Sequence, residues 1–184
     1  MRHQHLAILA LLASSLLLSC NSRNTEEKDL TYDRFLSSVV DVPYDRMVFV
    51  GQDSLWRTQS PYVYVCYADS VTCSSCLATH LSVWQAFDEQ LAELSDSCHL
   101  CLVIPGDSST VETVNHVLFY TQYHPTLYVD TAGLFLQSNP LVDSLRLLRT
   151  FLMDKDGHVL LVGDPTRRNM KTDIRKALGQ EETK

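Results

Sequence analysis

Residues 62–77 read YVYVCYADSVTCSSCL, and the fold turns on how this stretch is parsed. Tyr62 to Tyr67 is an unbroken run of β-branched and aromatic residues around one cysteine. Such a run suits a strand buried on both faces. Asp69 to Thr72 then form a loop. From Cys76 to Leu94, Leu77, Leu81, Trp84, Phe87, Leu91 and Leu94 recur at spacings of three and four, the signature of a helix with one apolar stripe. Cys73 and Cys76 therefore fall at the junction of a buried strand and a strong helix. The unpaired N–H groups and dipole at a helix N-terminus favour negative charge, so a cysteine there is shifted toward thiolate. A second cysteine one turn on can reach back and close a small disulfide.

Downstream, Leu100 to Ile104 reads as a second buried strand, ended by Pro105-Gly106. Ser109 and Glu112 suggest a capping box for a helix carrying Val111, Val114, Val117 and Leu118, which stops before Pro125. Thr126 to Val129 is a short strand, and Leu141 to Leu148 a helical turn. Thr150 to Met153 and Val159 to Val162 flank Asp154-Lys155-Asp156-Gly157, a hairpin signal. Asp164-Pro165 is read as opening a last helix with Met170, Ile174, Ala177 and Leu178 inward, closed by Gly179. Upstream, Asp29 to Val40 has helical spacing and Met47 to Val50 is a short strand. The order gives a mixed central sheet with helices on both faces, an α/β class.

The N-terminus is read as a leader. Arg2 precedes an apolar run, Leu6 to Leu18, too short for a comfortable bilayer span but right for a signal-peptide core. Leu17-Leu18-Ser19-Cys20 resembles a bacterial lipobox, which implies cleavage before Cys20 and lipidation of that residue. The expected organisation is a signal peptide at 1–19, a lipidated Cys20 with a polar tether to 28, an N-terminal extension at 29–54, the main domain at 55–180 and a tail at 181–184. Several acyl chains on one residue give stable membrane anchoring. The 184 residues suffice for one ordinary domain, and 45% apolar with 20% charged residues excludes wholesale disorder. A formal charge of −7 with no basic patch argues against a nucleic-acid partner.

There are six cysteines. If Cys20 carries lipid, five remain, and an odd number cannot all pair within one chain. They fall as Cys73/Cys76, Cys98/Cys101 and a lone Cys66. Three readings of the first pair stand side by side: a redox dithiol, a structural disulfide, and half of a metal site completed by Cys98, Cys101, His99 or His80. Cys66 and Cys101 alternate into core strands, where free cysteine acts as a small apolar residue. The role of Cys98, at the helix end before the second strand, is left open by the sequence, an exposed reactive thiol being one reading. His80, one turn beyond Cys76, and His158, after the hairpin glycine, are read as solvated, His116 and His124 as flanking the second helix, and Trp84 and Phe87 as core.

The chain resembles the thioredoxin-like superfamily, within it the membrane-anchored TlpA/ResA-type thiol-disulfide oxidoreductases and the related AhpC/TSA redoxins. The strand Val63 to Tyr67, the Cys73-Ser74-Ser75-Cys76 helix start and the stretch Thr150 to Val159 carry the resemblance. So does Leu127-Tyr128-Val129-Asp130, and the match covers roughly residues 55 to 180. It implies a three-layer α/β/α sandwich with a mixed central sheet. It also implies Cys73 as attacking thiol, Cys76 as resolving thiol, protein thiols or disulfides of the cell envelope as partners, and no organic cofactor or metal. The chain departs from the pattern at Thr72, where the family carries Trp, in the Ser74-Ser75 dipeptide, and at Leu148, where the family carries a cis-proline. Arg149 matches the arginine that redoxin-type peroxidases place before this strand. Two alternatives follow: a non-catalytic binding or assembly lipoprotein of the same fold, and a thiol peroxidase using Arg149.

Overall fold

Six strands form the sheet that the buried runs demand. The computed structural model describes residues 27–51, 60–68, 74–121, 123–164 and 166–180. The expected leader, Cys20, most of the tether and the tail lie outside them. The chain divides into two units, residues 1–34 and 35–184. The first is described from residue 27; helix α1 is described over residues 27–36, and it ends short of the expected Val40. Val39 forms instead an isolated antiparallel bridge to His158.

In the second unit the strands are β1 (Val48–Phe49), β2 (Tyr62–Tyr67), β3 (Cys98–Pro105), β4 (Thr126–Asp130), β5 (Thr150–Asp154) and β6 (Val159–Val162). Their order across the sheet is β1-β4-β3-β2-β5-β6. β2, β3 and β4 run parallel, while β1, β5 and β6 pair antiparallel with their neighbours. The helices are α2 (Ser74–Leu94), α3 (Ser108–Tyr120), α4 (Leu134–Ser138), α5 (Pro140–Ser144) and α6 (Met170–Ala177). A 3₁₀ turn at Arg146–Arg149 leads into β5.

Strand side chains alternate between faces, and the alternation sorts the core. Tyr64, Cys66, Leu100, Leu102, Ile104, Leu127, Val129 and Leu152 face one way. They cluster with Leu77, Leu81, Trp84, Phe87 and Leu91 of α2, Val114, Val117 and Leu118 of α3, and Met170 and Ile174 of α6. The crossovers β2–α2–β3 and β3–α3–β4 advance in the same direction across the sheet. Equal handedness therefore puts both helices on one face. Val65, Tyr67, Val103, Tyr128 and Phe151 face the other way and are buried with Phe35, Phe135, Val142 and Leu148. The chain returns across that second face from β4 to β5 through α4 and α5. This is the expected α/β/α layering around a mixed sheet.

Among the helices of the second unit, three boundaries differ from the sequence reading. The N-cap of α3 is Asp107, not Ser109. Its carboxylate accepts from the Thr110 backbone N–H at 3.0 Å, and the Thr110 hydroxyl answers the Asp107 backbone N–H at 3.2 Å. Ser109 spends its hydroxyl on the same carboxylate, at 2.6 Å. The last helix starts at Met170 rather than Asp164-Pro165. Asp164 instead turns the chain by accepting from the Thr166 N–H at 2.8 Å and the Thr166 hydroxyl at 2.6 Å. The helical turn expected at 141–148 splits into α5 and the 3₁₀ turn. Gly179 closes α6 at φ +70°, and Gly157 makes the hairpin turn at φ +87°. Both values lie where only glycine is at ease.

Candidate functional site

β2 lies centrally, with β3 on one side and β5 on the other. The chain builds outward from β2 to β3 and β4, then crosses back to lay β5 on its opposite edge. The carboxyl end of β2 is thus where growth of the sheet changes side, the favoured place for a site in open α/β sheets. The Ala68 N–H donates to the Val103 carbonyl at 2.9 Å, continuing the pairing with β3 one residue past the strand. α2 then begins at Ser74, and Cys76 lies in its first turn. Thr72 and Cys73 lie outside the described residues, as do the side chains of Ser74, Ser75 and Cys76.

The described surroundings of this end are well defined. Tyr67, the last residue of β2, is buried and stacks on Phe135 of α4, with ring centroids 5.0 Å apart and planes 15° apart. Phe135 is held there by Asp130 at the end of β4. The Asp130 carboxylate, 2% exposed, accepts from the Leu134 and Phe135 backbone N–H groups at 2.9 Å each. A carboxylate at a helix start satisfies orphan donors and complements the dipole. Arg149 sits beside Tyr67 because Thr150 pairs with Cys66 in the β2–β5 register. Its guanidinium lies 5.9 Å from the Tyr67 ring centroid and 3.2 Å from the Asp143 carboxylate. Arg149 is therefore a half-buried residue beside the carboxyl end of β2. Burial pushes the Tyr67 phenol up, with Asp130 adding to this and Arg149 opposing it. Leu148 is fully buried at the family's proline position, and the described residues hold no cis peptide bond.

The remaining cysteines are set apart from this chemistry. Cys66 and Cys98 are free thiols, and Cys66, Cys98 and Cys101 are all buried. The reading of Cys98 as an exposed thiol is overturned. β3 begins at Cys98, two residues earlier than the periodicity suggested, and pairs it with Tyr62, leaving it 8% exposed. Burial pushes the Cys98 thiol up to about 12, with the Asp88 charge adding to the effect. Burial likewise pushes the Cys66 thiol far above its ordinary range. Cys98 and Cys101 stand three residues apart on an extended strand, about 10 Å, and point to opposite faces. A disulfide requires Cα atoms within about 7 Å, so these two cannot be bridged on this strand. Among the described residues, which do not include the side chains of Cys73 and Cys76, no group of three or more His, Cys, Asp or Glu is arranged for a metal ion. His99 is engaged with the Thr126 hydroxyl at 2.6 Å. His80 is exposed and stacks on Trp84, 5.6 Å between centroids.

Two features escaped the sequence reading. The role of Asp130 is visible only once α4 is seen to start on its carboxylate. Asp88 of α2 accepts from the Tyr123 hydroxyl at 3.1 Å across 35 residues of chain. Burial raises the Asp88 carboxyl, while the Tyr123 hydrogen bond and the His99 charge oppose the shift.

No protein-family model matches the chain, and no curated protein matches it. Among solved structures, it is similar to the solution structure of a candidate thiol-disulfide oxidoreductase from Bacteroides vulgatus. The two are 15% identical, the likeness covers 80% of this chain and 95% of that one, and the TM-score is 0.50. A thioredoxin-like protein from Aeropyrum pernix is also 15% identical, over 88% of this chain and 99% of that one, at a TM-score of 0.42. No described helix is long and apolar enough to cross a membrane. With its mixed six-stranded sheet, its layered helices and the first of these likenesses, the chain has the thioredoxin-like fold.

Proposed function

We propose that this chain is a lipid-anchored, extracytoplasmic thiol-disulfide oxidoreductase that exchanges disulfides with cell-envelope proteins through Cys73 and Cys76. One observation carries the reading. α2 begins at Ser74, the residue after Cys73, directly beyond the carboxyl end of the central strand. A cysteine at that junction meets unpaired helix N–H groups that favour its thiolate. The similar protein from Bacteroides vulgatus bears the name of the same activity. The Leu17-Leu18-Ser19-Cys20 stretch supplies the anchor in this reading.

In the reducing direction the Cys73 thiolate attacks one sulfur of a client disulfide. The client disulfide breaks, a Cys73–client mixed disulfide forms, and the departing client sulfur takes up a proton. Cys76 then loses its proton and attacks the Cys73 sulfur. The second client thiol is released, and the Cys73–Cys76 disulfide holds the two electrons' worth of oxidation that the client lost. The oxidising direction is the reverse.

Trapping tests this. In the full chain, Cys76→Ser leaves Cys73 without a resolving thiol, so mixed disulfides with envelope proteins accumulate and dissolve on reduction. Cys73→Ser traps none. Equal trapping by both variants, or by neither, removes the assignment. A second reading, thiol peroxidase, is favoured by the place of Arg149 beside Tyr67 at the end of β2. Hydrogen peroxide consumption that is lost in Arg149→Ala would establish it; the exchange reading expects trapping to survive that substitution.

A further inference from the structure

We propose that the outer end of α3, formed by His116, Phe119 and Tyr120, docks onto the neutral headgroup layer of the membrane that carries the lipid anchor. The proposal rests on the reading of Cys20 as that anchor. Phe119 is 82% exposed and Tyr120 73%, the two most exposed large apolar side chains among the described residues. They are not stray surface rings. Phe119 meets Tyr120 edge-on at 5.1 Å, and His116 meets Tyr120 at 5.0 Å, so the three form one raised aromatic cluster. Val114, Val117 and Leu118 already supply the core face of α3, which leaves this cluster facing outward.

Charge and chain length choose the occupant. The chain carries −7, yet residues 113–121 hold no Asp, Glu, Lys or Arg, and Glu112 is the one charged residue in Ser108–Tyr120. Glu112 apart, this helix offers a charged client no charged side chain to pair with. A neutral interface suits rings with polar tips, which settle at headgroup depth. Fourteen residues lie between Cys20 and Phe35, and with 27–34 in α1 they reach at most about 40 Å. Such a tether makes membrane contact an intramolecular event at high effective concentration, so two rings suffice to populate it. Docked on α3, the domain would take a fixed orientation on the lipid instead of swinging freely.

The test is hydroxyl-radical footprinting of the full lipidated chain on phosphatidylcholine vesicles, read by mass spectrometry. His80 and His158, both exposed, serve as internal references. Burying the rings is worth about tenfold or more in occupancy, so Phe119 and Tyr120 oxidise about tenfold more slowly than the references and their exposure require. In the Phe119→Ser/Tyr120→Ser double variant, which alters exposed positions only, His116 becomes freely oxidised while the chain still sediments with the vesicles. If the chain sediments but Phe119 and Tyr120 oxidise freely, docking is refuted and the anchor stands. Protection that fades as the protein is diluted over more lipid means pairing of two copies and also refutes it. A chain that does not sediment with vesicles refutes the anchor reading, and this proposal with it.

Discussion

Iodoacetamide offered to the native protein at about pH 8 is expected to leave Cys66, Cys98 and Cys101 unmodified while Cys73 reacts within minutes. Only thiolate is alkylated. The most accessible of the three, Cys98, is 8% exposed, and its thiol is moved from 9.0 to about 12. Each unit costs a factor of ten in thiolate below the shifted value, so ionisation alone slows Cys98 by about a thousandfold. Cys66 and Cys101 sit deeper, at 1% and 0% exposure, and react only when the sheet opens. The assay is a quenched alkylation series with peptide mapping, run native and in urea. Urea should bring all three to the rate of an ordinary thiol. Native modification of Cys98 or Cys101 at a rate near that of Cys73 would refute the separation of structural from reactive cysteines. The same shift has a stability consequence. The folded state holds the Cys98 proton more tightly than the unfolded chain, so its contribution is complete below about pH 9 and drains away toward pH 12. The slope is roughly 1.4 kcal/mol per pH unit. A urea midpoint that stays flat from pH 9 to 11 would contradict it.

Other consequences are equally direct. Asp130→Ala strips two charged hydrogen bonds from the start of α4 and is expected to cost about 3 kcal/mol in urea titration. It should also weaken the near-ultraviolet signal of the Tyr67–Phe135 stack. Asp130→Asn, with one acceptor oxygen, should recover part of both, and a neutral effect of Asp130→Ala would mean the carboxylate does not hold α4. Gly157→Ala places a Cβ 2.5 Å from the Val40 carbonyl oxygen at φ +87°; the expected loss is at least about 2 kcal/mol, and an unchanged thermal midpoint would count against the hairpin geometry. Asp88→Asn should raise stability at pH 7. The carboxyl is raised by burial, so the folded state loses stability as pH rises from 3.8 through the shifted value, and the amide escapes that loss. The gain should vanish when the urea midpoints are compared near pH 3, and a variant less stable at pH 7 would show the charge to be favourable.

The sequence made legible whatever rests on local pattern. The apolar run at 62–67 is β2, the leucine-tryptophan-phenylalanine stripe at 77–94 is the buried face of α2, and the Asp-Gly hairpin joins β5 to β6. The features that stayed hidden depend on partners far away in the chain. α4 is five residues long and starts because a buried carboxylate at the end of β4 receives its first N–H groups; no five-residue window announces that. Cys98 precedes the apolar run, so its burial is not marked locally; the register with Tyr62 provides it. At the head of α3, Asp107 and Ser109 are both good cap residues, and the choice depends on Thr110 returning a bond to the Asp107 N–H. Arg149 was recognised by position, but its seat over Tyr67 follows from the β2–β5 register.

A redox titration of the full chain addresses the central claim most directly. Glutathione or dithiothreitol buffers would set the potential, and mass spectrometry would count alkylated Cys73 and Cys76, with Cys73→Ser as control. The account predicts one reversible two-electron transition of this pair in the folded protein, with Cys66, Cys98 and Cys101 silent throughout. A pair that stays oxidised until the protein unfolds, or a Cys73 that is inert at neutral pH, would contradict it and leave the fold as a binding module.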